Sequence, residues 1–369
     1  MARSRAGWTG TRIVALVAGV VLIIVAAVVV TRRAQDDGSA ACRTPVTVRG
    51  VIGSEKEPFF DDQRVMDRLG CLGFRVDVDS KGSRDMLDAL AGGGHGYAFA
   101  FPGSTAAAEK IMTSLGVTDK IPLFSSPMVV ATFRPIVDVL RNAGVIQTAS
   151  NGKDVLDIAA LLALVREGKT WDQLPGNTAY PVHKTVLLST TDPQDSNSAI
   201  MYLSIASQVA NKGAIVTTDA QVQQVLPDLC RLIFDQGDKP ETSQVLFDNY
   251  LLEGMGRTPM ALVYEAQYAT TAPKPPLAKD SEMLFPRPTV YSRHTLIPLT
   301  SDGAAVGKAL RDDPELVRLA AEHGFRPEKP LAGQQVSDRP VDVVESPSYE
   351  VLETMLSALT PENATGCAR

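Results

Sequence analysis

The sequence is poor in residues arranged for chemistry. Its four histidines, His95, His183, His294 and His323, are scattered through 369 residues. None forms the HExxH spacing that puts two imidazoles on one helix face for zinc. No GxSxG elbow presents a serine nucleophile, and no GxxxxGK[ST] loop cradles a phosphate chain. The run Gly92-Gly93-Gly94-His95-Gly96 precedes a predicted strand instead of following one, which is the wrong context for a dinucleotide loop and reads as a flexible turn. The loop Asp192–Ser198 has oxygen donors but lacks the glycine and closing glutamate of a calcium loop. No catalytic residue, metal site or cofactor is therefore expected, and the chain reads as a non-enzyme. A basic excess is missing too. The 36 Lys and Arg fall short of the 42 Asp and Glu, giving a net charge of −6, which excludes a general nucleic-acid binder.

Long apolar runs are absent except one. Ile13–Val30 holds 18 residues without a polar side chain. As a helix it would rise about 27 Å, close to the hydrocarbon thickness of a bilayer. Arg3, Arg5 and Arg12 precede it, whereas Arg32 and Arg33 are offset by Asp36 and Asp37. This bias predicts a cytoplasmic N-terminus (residues 1–12), a single transmembrane helix (13–30), a linker (31–44) and an extracytoplasmic remainder. A cleaved leader is the rival reading. Ser39-Ala40-Ala41-Cys42 resembles a lipoprotein box, but residues 31–41 separate it from the apolar run. An uncleaved anchor in the cell membrane is the expectation.

Cysteine is scarce. Cys42, Cys71, Cys230 and Cys367 would lie in an oxidising space, where four cysteines allow three pairings. Cys42 and Cys71 each precede a predicted strand, and neighbouring parallel strands start side by side, so Cys42–Cys71 is the expected bridge. Cys230 lies among Leu226, Leu229, Leu232 and Ile233 and reads as a buried core thiol.

What remains is a strand–turn–helix rhythm. Strands are predicted at Val46–Ile52, Phe74–Val78 and Tyr97–Phe101, each followed by a helical stretch. Thr185–Ser189 reads as a buried strand, and Asp195–Ser198 supplies possible N-caps for the helix behind it. Leu123–Val137, long and apolar, suits a crossing between two lobes, and Pro259–Tyr264 suits the return. Val155–Leu174 has a helical period with a glycine stop at Gly168, Lys274–Pro288 reads as irregular, Thr289–Leu299 as a strand, and Pro347–Leu359 as a last helix. Length and composition fit about two α/β domains.

The order of these pieces resembles the type 2 extracytoplasmic solute-binding proteins, which usually feed ABC importers. The resemblance rests on Gly53-Ser54-Glu55 after the first strand, YAFAFPGS (97–104) and FSSPMVVATFRP (124–135). EGKTWDQLP (167–175), TTDPQDSNSA (190–199), MALVYEA (260–266), FPRPTVYSRHTLIPL (285–299) and AAEHGFRP (320–327) complete it. It implies two α/β lobes of the periplasmic-binding-protein type 2 kind joined by two crossing segments, with residues 45–130 plus 266–369 in one lobe and 131–265 in the other. It implies a small polar solute held between them. The cleft residues would be Ser54, Glu55, Ser104, Thr190, Thr191, Ser196 and Asn197, with Tyr264 and Glu265 near the hinge. Each has a plainer reading: helix capping for the serines, hinge packing for Tyr264 and a hinge salt bridge for Glu265. Helix N-termini facing one cleft lean toward an oxyanion; Glu55, Asp192 and Glu265 pull the other way. An ABC permease or another membrane protein would be the partner. A ligand-free interaction or sensor module on the same fold is the alternative, and an extracytoplasmic hydrolase a more distant one.

Overall fold

The computed structural model describes residues 44–91, 96–237, 239–269, 277–332, 342–360 and 367. The expected membrane helix, Cys42 and the glycine run at 92–94 lie outside them. Among the described residues no helix is long and apolar enough to cross a membrane.

The first half opens with β1 (Val46–Ile52), a 3-10 turn Ser54–Lys56, α1 (Glu57–Phe60) and α2 (Gln63–Cys71). β2 (Phe74–Ser80), α3 (Ser83–Ala91), β3 (Phe99–Phe101) and α4 (Thr105–Leu115) follow. β1 pairs in parallel with both β2 and β3. Parallel strands need crossover helices, and α2 and α3 supply them. Asp62 and Ser104 start α2 and α4 by accepting backbone N–H bonds from Arg64 and Ala107.

β4 (Ile121–Phe133) is one continuous strand of 13 residues. Its first part pairs with β9 (Thr289–Pro298), and its second part with β7 (Met260–Tyr264) and β8 (Ser281–Arg287). Both crossings read from the sequence are therefore strands, β4 and β7. Two buried hydroxyls on β4 tie it to the return segment: Thr132 donates to the Pro259 carbonyl at 2.8 Å, and Ser126 accepts from the Ala266 N–H at 3.0 Å. Pro135 does not extend the strand but sits in the first turn of a helix, Arg134–Asn142, where its missing N–H costs nothing.

The second half contains a β-hairpin (Ile146–Thr148 with Asp154–Asp157) and packed helices Ile158–Arg166, Asn197–Ala210, Asp219–Phe234 and Ser243–Glu253. Three expectations need correction here. The helical period read from Val155 to a stop at Gly168 begins later than expected: Asp154–Asp157 is a strand, and Asp157 then caps the helix Ile158–Arg166, which ends just before that glycine. Thr185–Ser189 is buried at Val186–Leu188 yet makes only isolated bridges, Thr185 to Thr170 and Ser189 to Ala261, so burial without a ladder explains its apolar sequence. Ser281–Pro286, read as irregular, is most of β8, which pairs with β4 and with Asp154–Asp157.

The core also divides differently from the expected 45–130 plus 266–369 against 131–265. Leu284 and Phe285 of β8 belong to the large apolar cluster of the second half. So do Val351, Leu352, Met355 and Leu356 of the C-terminal helix Tyr349–Ala358. The helices Ser301–Asp312 and Pro314–Glu322 remain with the first half, through Val306, Leu310, Leu316 and Leu319.

Cys230 is buried, as its leucine neighbours imply, but it is not a free thiol: it is bonded to Cys367, with Cα atoms 5.5 Å apart. Cys71 is disulfide-bonded as well. The Cys230–Cys367 bridge closes a sequence separation of 137 residues, and closure of so long a loop is worth up to about 5 kcal/mol on chain-entropy grounds. Cys367→Ser is expected to lower the urea midpoint substantially. An unchanged midpoint would show that the loop closure contributes nothing.

Candidate functional site

A polar cavity of about 180 Å³ lies where the halves meet. The first half contributes Gly53, Ser54, Glu55, Lys81 and Gly103; the second contributes Asp195, Ser196, Asn197, Thr242 and Ser243. Tyr264, the last residue of β7, completes the wall. Several segments turn from extended backbone into helix here: Gly53 into the turn at Ser54, Ser196 into Asn197–Ala210, and Thr242 into Ser243–Glu253. Helix starts carry backbone N–H groups without intrahelical partners. Ser196 is the N-cap of Asn197–Ala210 yet makes no capping bond. Its hydroxyl pairs instead with Ser198 Oγ at 3.0 Å, which pairs in turn with Thr191 Oγ1 at 2.7 Å.

Beneath the cavity lies a charge network out of water. Lys56 is fully buried, and its ammonium forms an ion pair with Glu55, itself 7% exposed. Lys56 Nζ also lies 3.1 Å from His294 Nδ1 and 4.8 Å above the Phe101 ring. His294 Nε2 lies 3.1 Å from Ser292 Oγ, and the Ser292 hydroxyl donates to the Gly103 carbonyl. With Ser292 spending its proton on Gly103, it accepts from Nε2–H, which leaves Nδ1 to accept from the Lys56 ammonium. Burial by itself would raise the Glu55 carboxyl; the adjacent Lys56 ammonium outweighs it and holds the carboxyl well below the usual carboxylate range. Burial, and then repulsion from Lys56, pushes His294 down to about 4. Glycine is required around this carboxylate. A Cβ at Gly53 would lie 2.6 Å from Glu55 Oε2, and one at Gly103 would lie 2.6 Å from Oε1.

The Gly103 carbonyl also accepts from Asn197 Nδ2 at 3.1 Å, and Nδ2 lies 3.0 Å from the Tyr264 hydroxyl. Asn197 thus reaches across the cleft from the second half. Its Oδ1 is buried and has no partner among the described residues. Because both contacts of Nδ2 are fixed by a carbonyl and a hydroxyl, a flip of the amide does not relieve the orphaned oxygen. Burial, followed by the nearby Glu55 charge, raises the Tyr264 phenol well above its ordinary value, so it stays protonated.

Of the residues picked from the sequence, Ser54, Glu55, Ser196, Asn197 and Tyr264 line the cavity. Ser104 caps α4 through a 3.2 Å bond from the Ala107 N–H. Thr191 backs the cleft through Ser198, and Thr190 lines a separate cavity. Glu265 forms a two-pronged ion pair with Arg326, both bonds 2.7 Å, which is the plainer hinge reading. Sequence reasoning missed Lys56, Ser292 and His294. Their one signal was period-2 spacing: Ser292 and His294 are polar residues on the inward face of an otherwise apolar strand, with the exposed Arg293 between them.

No family model matches the chain, and no curated protein matches it by sequence. Solved structures do match. A periplasmic thiamin binding protein superposes with a TM-score of 0.58 at 11% identity, over 90% of this chain and 98% of that one. Iron-bound HitA from Pseudomonas aeruginosa gives 0.56 at 12%, over 85% and 97%. A ferric binding protein from Campylobacter jejuni gives 0.52 at 10%, over 87% and 98%. The chain therefore has the fold of these binding proteins.

Two outcomes are expected of the buried network. Lys56→Met strands the Glu55 carboxylate and should cost about 3–5 kcal/mol in chemical denaturation, while adding Glu55→Gln should restore part of it. Equal stability of the single and double variants would show that the pair is not coupled. The second concerns pH. His294 titrates near 6.5 when unfolded and about 4 when folded. The unfolded chain therefore binds the extra proton between these values. Stability is full above about 6.5 and declines by about 3 kcal/mol as the pH falls to about 4. His294→Gln should flatten that slope; an unchanged slope would remove His294 as its source.

Proposed function

We propose that this chain is a solute-binding protein that captures one small polar solute by closing its two halves around it. The observation that supports this most directly is the cavity, whose walls come from both halves and whose lining residues, glycines aside, all carry a polar group. A solute touching both walls at once lowers the free energy of the closed form relative to the open one. The thiamin- and iron-binding proteins of like fold favour a binding role over an enzymatic one.

The lining favours a solute with two kinds of group. Backbone N–H groups at the helix starts and the ammonium of Lys81 suit an oxyanion. The orphaned Asn197 Oδ1 and the exposed carboxylates of Asp85, Asp195 and Glu241 at the mouth suit a donor. A small solute bearing both an oxyanion and a hydroxyl or N–H group satisfies the two sets together. In this proposal residues 13–30 hold the protein to the membrane, with the cavity outside the cell, and an ABC permease or another membrane protein receives or senses the solute.

A second reading is a module on this fold that works without a solute. Its support is the bond from Asn197 to Gly103, by which the protein's own groups join the halves. The two readings part in calorimetry and thermal-shift screening with oxyanions, hydroxy acids and amino acids. Solute capture predicts saturable stabilisation by one class of compound, weakened about tenfold or more by Asn197→Leu. No stabilisation by any class, with Asn197→Leu merely loosening the fold, would favour the solute-free module.

A further inference from the structure

Thr190 stands at the C-terminal end of the run 185–190, and it lines a different space from the cleft. That space is a second cavity of about 280 Å³, lined by Lys184, Thr190, Asn249, Arg257 and Thr258 among others. This volume is at the small end for ligand pockets, which fits a solute of a few atoms. It is separated from the cleft by the segment at 240–243: Pro240 lines the second cavity, while Glu241, Thr242 and Ser243 line the first.

We propose that this second cavity is a binding site for a small oxyanion of the phosphate or sulfate type. The Thr190 side chain is the first reason. The residue is 1% exposed and its hydroxyl has no partner among the described residues. Its backbone N–H is already taken by Gln236 Oε1 at 2.7 Å, and the Gln236 amide nitrogen donates to the Leu232 carbonyl. The hydroxyl is therefore a donor that the protein has not used, in a place where leaving it unused is costly. Charge is the second reason. Lys184 and Arg257 both line the cavity, and no carboxylate among its described lining residues opposes them. Glu253 takes Arg257 through Nε at 3.0 Å, which leaves the terminal guanidinium nitrogens for another acceptor. Two cations at the rim and a buried hydroxyl in the wall are matched by an anion with several acceptor oxygens.

The site does not depend on what the cleft holds. Titration of the full chain with inorganic phosphate, and separately with sulfate, tests it by calorimetry at low ionic strength. Asn197→Leu serves as the background that disables the cleft. In that background saturable binding should persist, and adding Lys184→Glu with Arg257→Glu should weaken it about tenfold or more. Thr190→Val is the second variant: it should weaken binding several-fold while leaving the melting temperature without phosphate equal to or above that of the parent. Binding lost with Asn197→Leu alone and untouched by the other changes would assign the anion to the cleft and overturn the proposal. So would the absence of saturable binding up to about 10 mM of either anion.

Discussion

Glu55 and Lys56 lie side by side out of water, and neither charge is tolerable there alone. Taking a carboxylate or an ammonium out of solvent costs several kcal/mol even after relaxation. The pair offsets that cost only because the ammonium has further partners, the Phe101 ring and Nδ1 of His294. The demand spreads from there. Gly53 and Gly103 can carry no side chain, because the carboxylate occupies the space. Ser292 must accept from one side and donate to the other. The floor of the cleft is thus set by a charge pair of which Glu55 reaches the cavity wall and Lys56 does not.

The Gly103 carbonyl links that floor to closure. It accepts from Ser292 within the first half and from Asn197 across the cleft, so one oxygen receives bonds from both sides. The position of Asn197, and with it the start of its helix, is referred to the buried charges through Gly103, Ser292 and His294. A cleft of this kind is preorganised on one side.

Much of the fold was legible because patterning and turn chemistry agree. The β1, β2 and β3 runs, the apolar crossing β4 and the return β7 are all visible as short apolar segments punctuated by glycine, proline and capping residues. Where reading failed, tertiary context decided. Ser281–Pro286 is proline-flanked and mixed in polarity, yet it is held as strand by two partners. Thr185–Ser189 has the composition of a strand but finds no ladder. In the site, Ser54 and Ser196 were visible as polar residues where the chain turns into helix, although neither makes a capping bond. Lys56 was not, because a lysine beside a glutamate in a turn looks like solvated charge. Its burial depends on His294, which is 238 residues away. Glu265 shows the reverse: a carboxylate at a hinge whose role is set by Arg326, again far along the chain.

Pro127 is the residue at which β4 changes company. Up to that point the strand pairs with β9, where Pro127 faces Tyr291; from Met128 onward it pairs with β7, where Met128 faces Tyr264. A proline has no N–H to donate, so at this changeover the strand has one ladder donor fewer. The strand shared by the two halves thus exchanges one set of neighbours for another at a residue that can offer an N–H to neither.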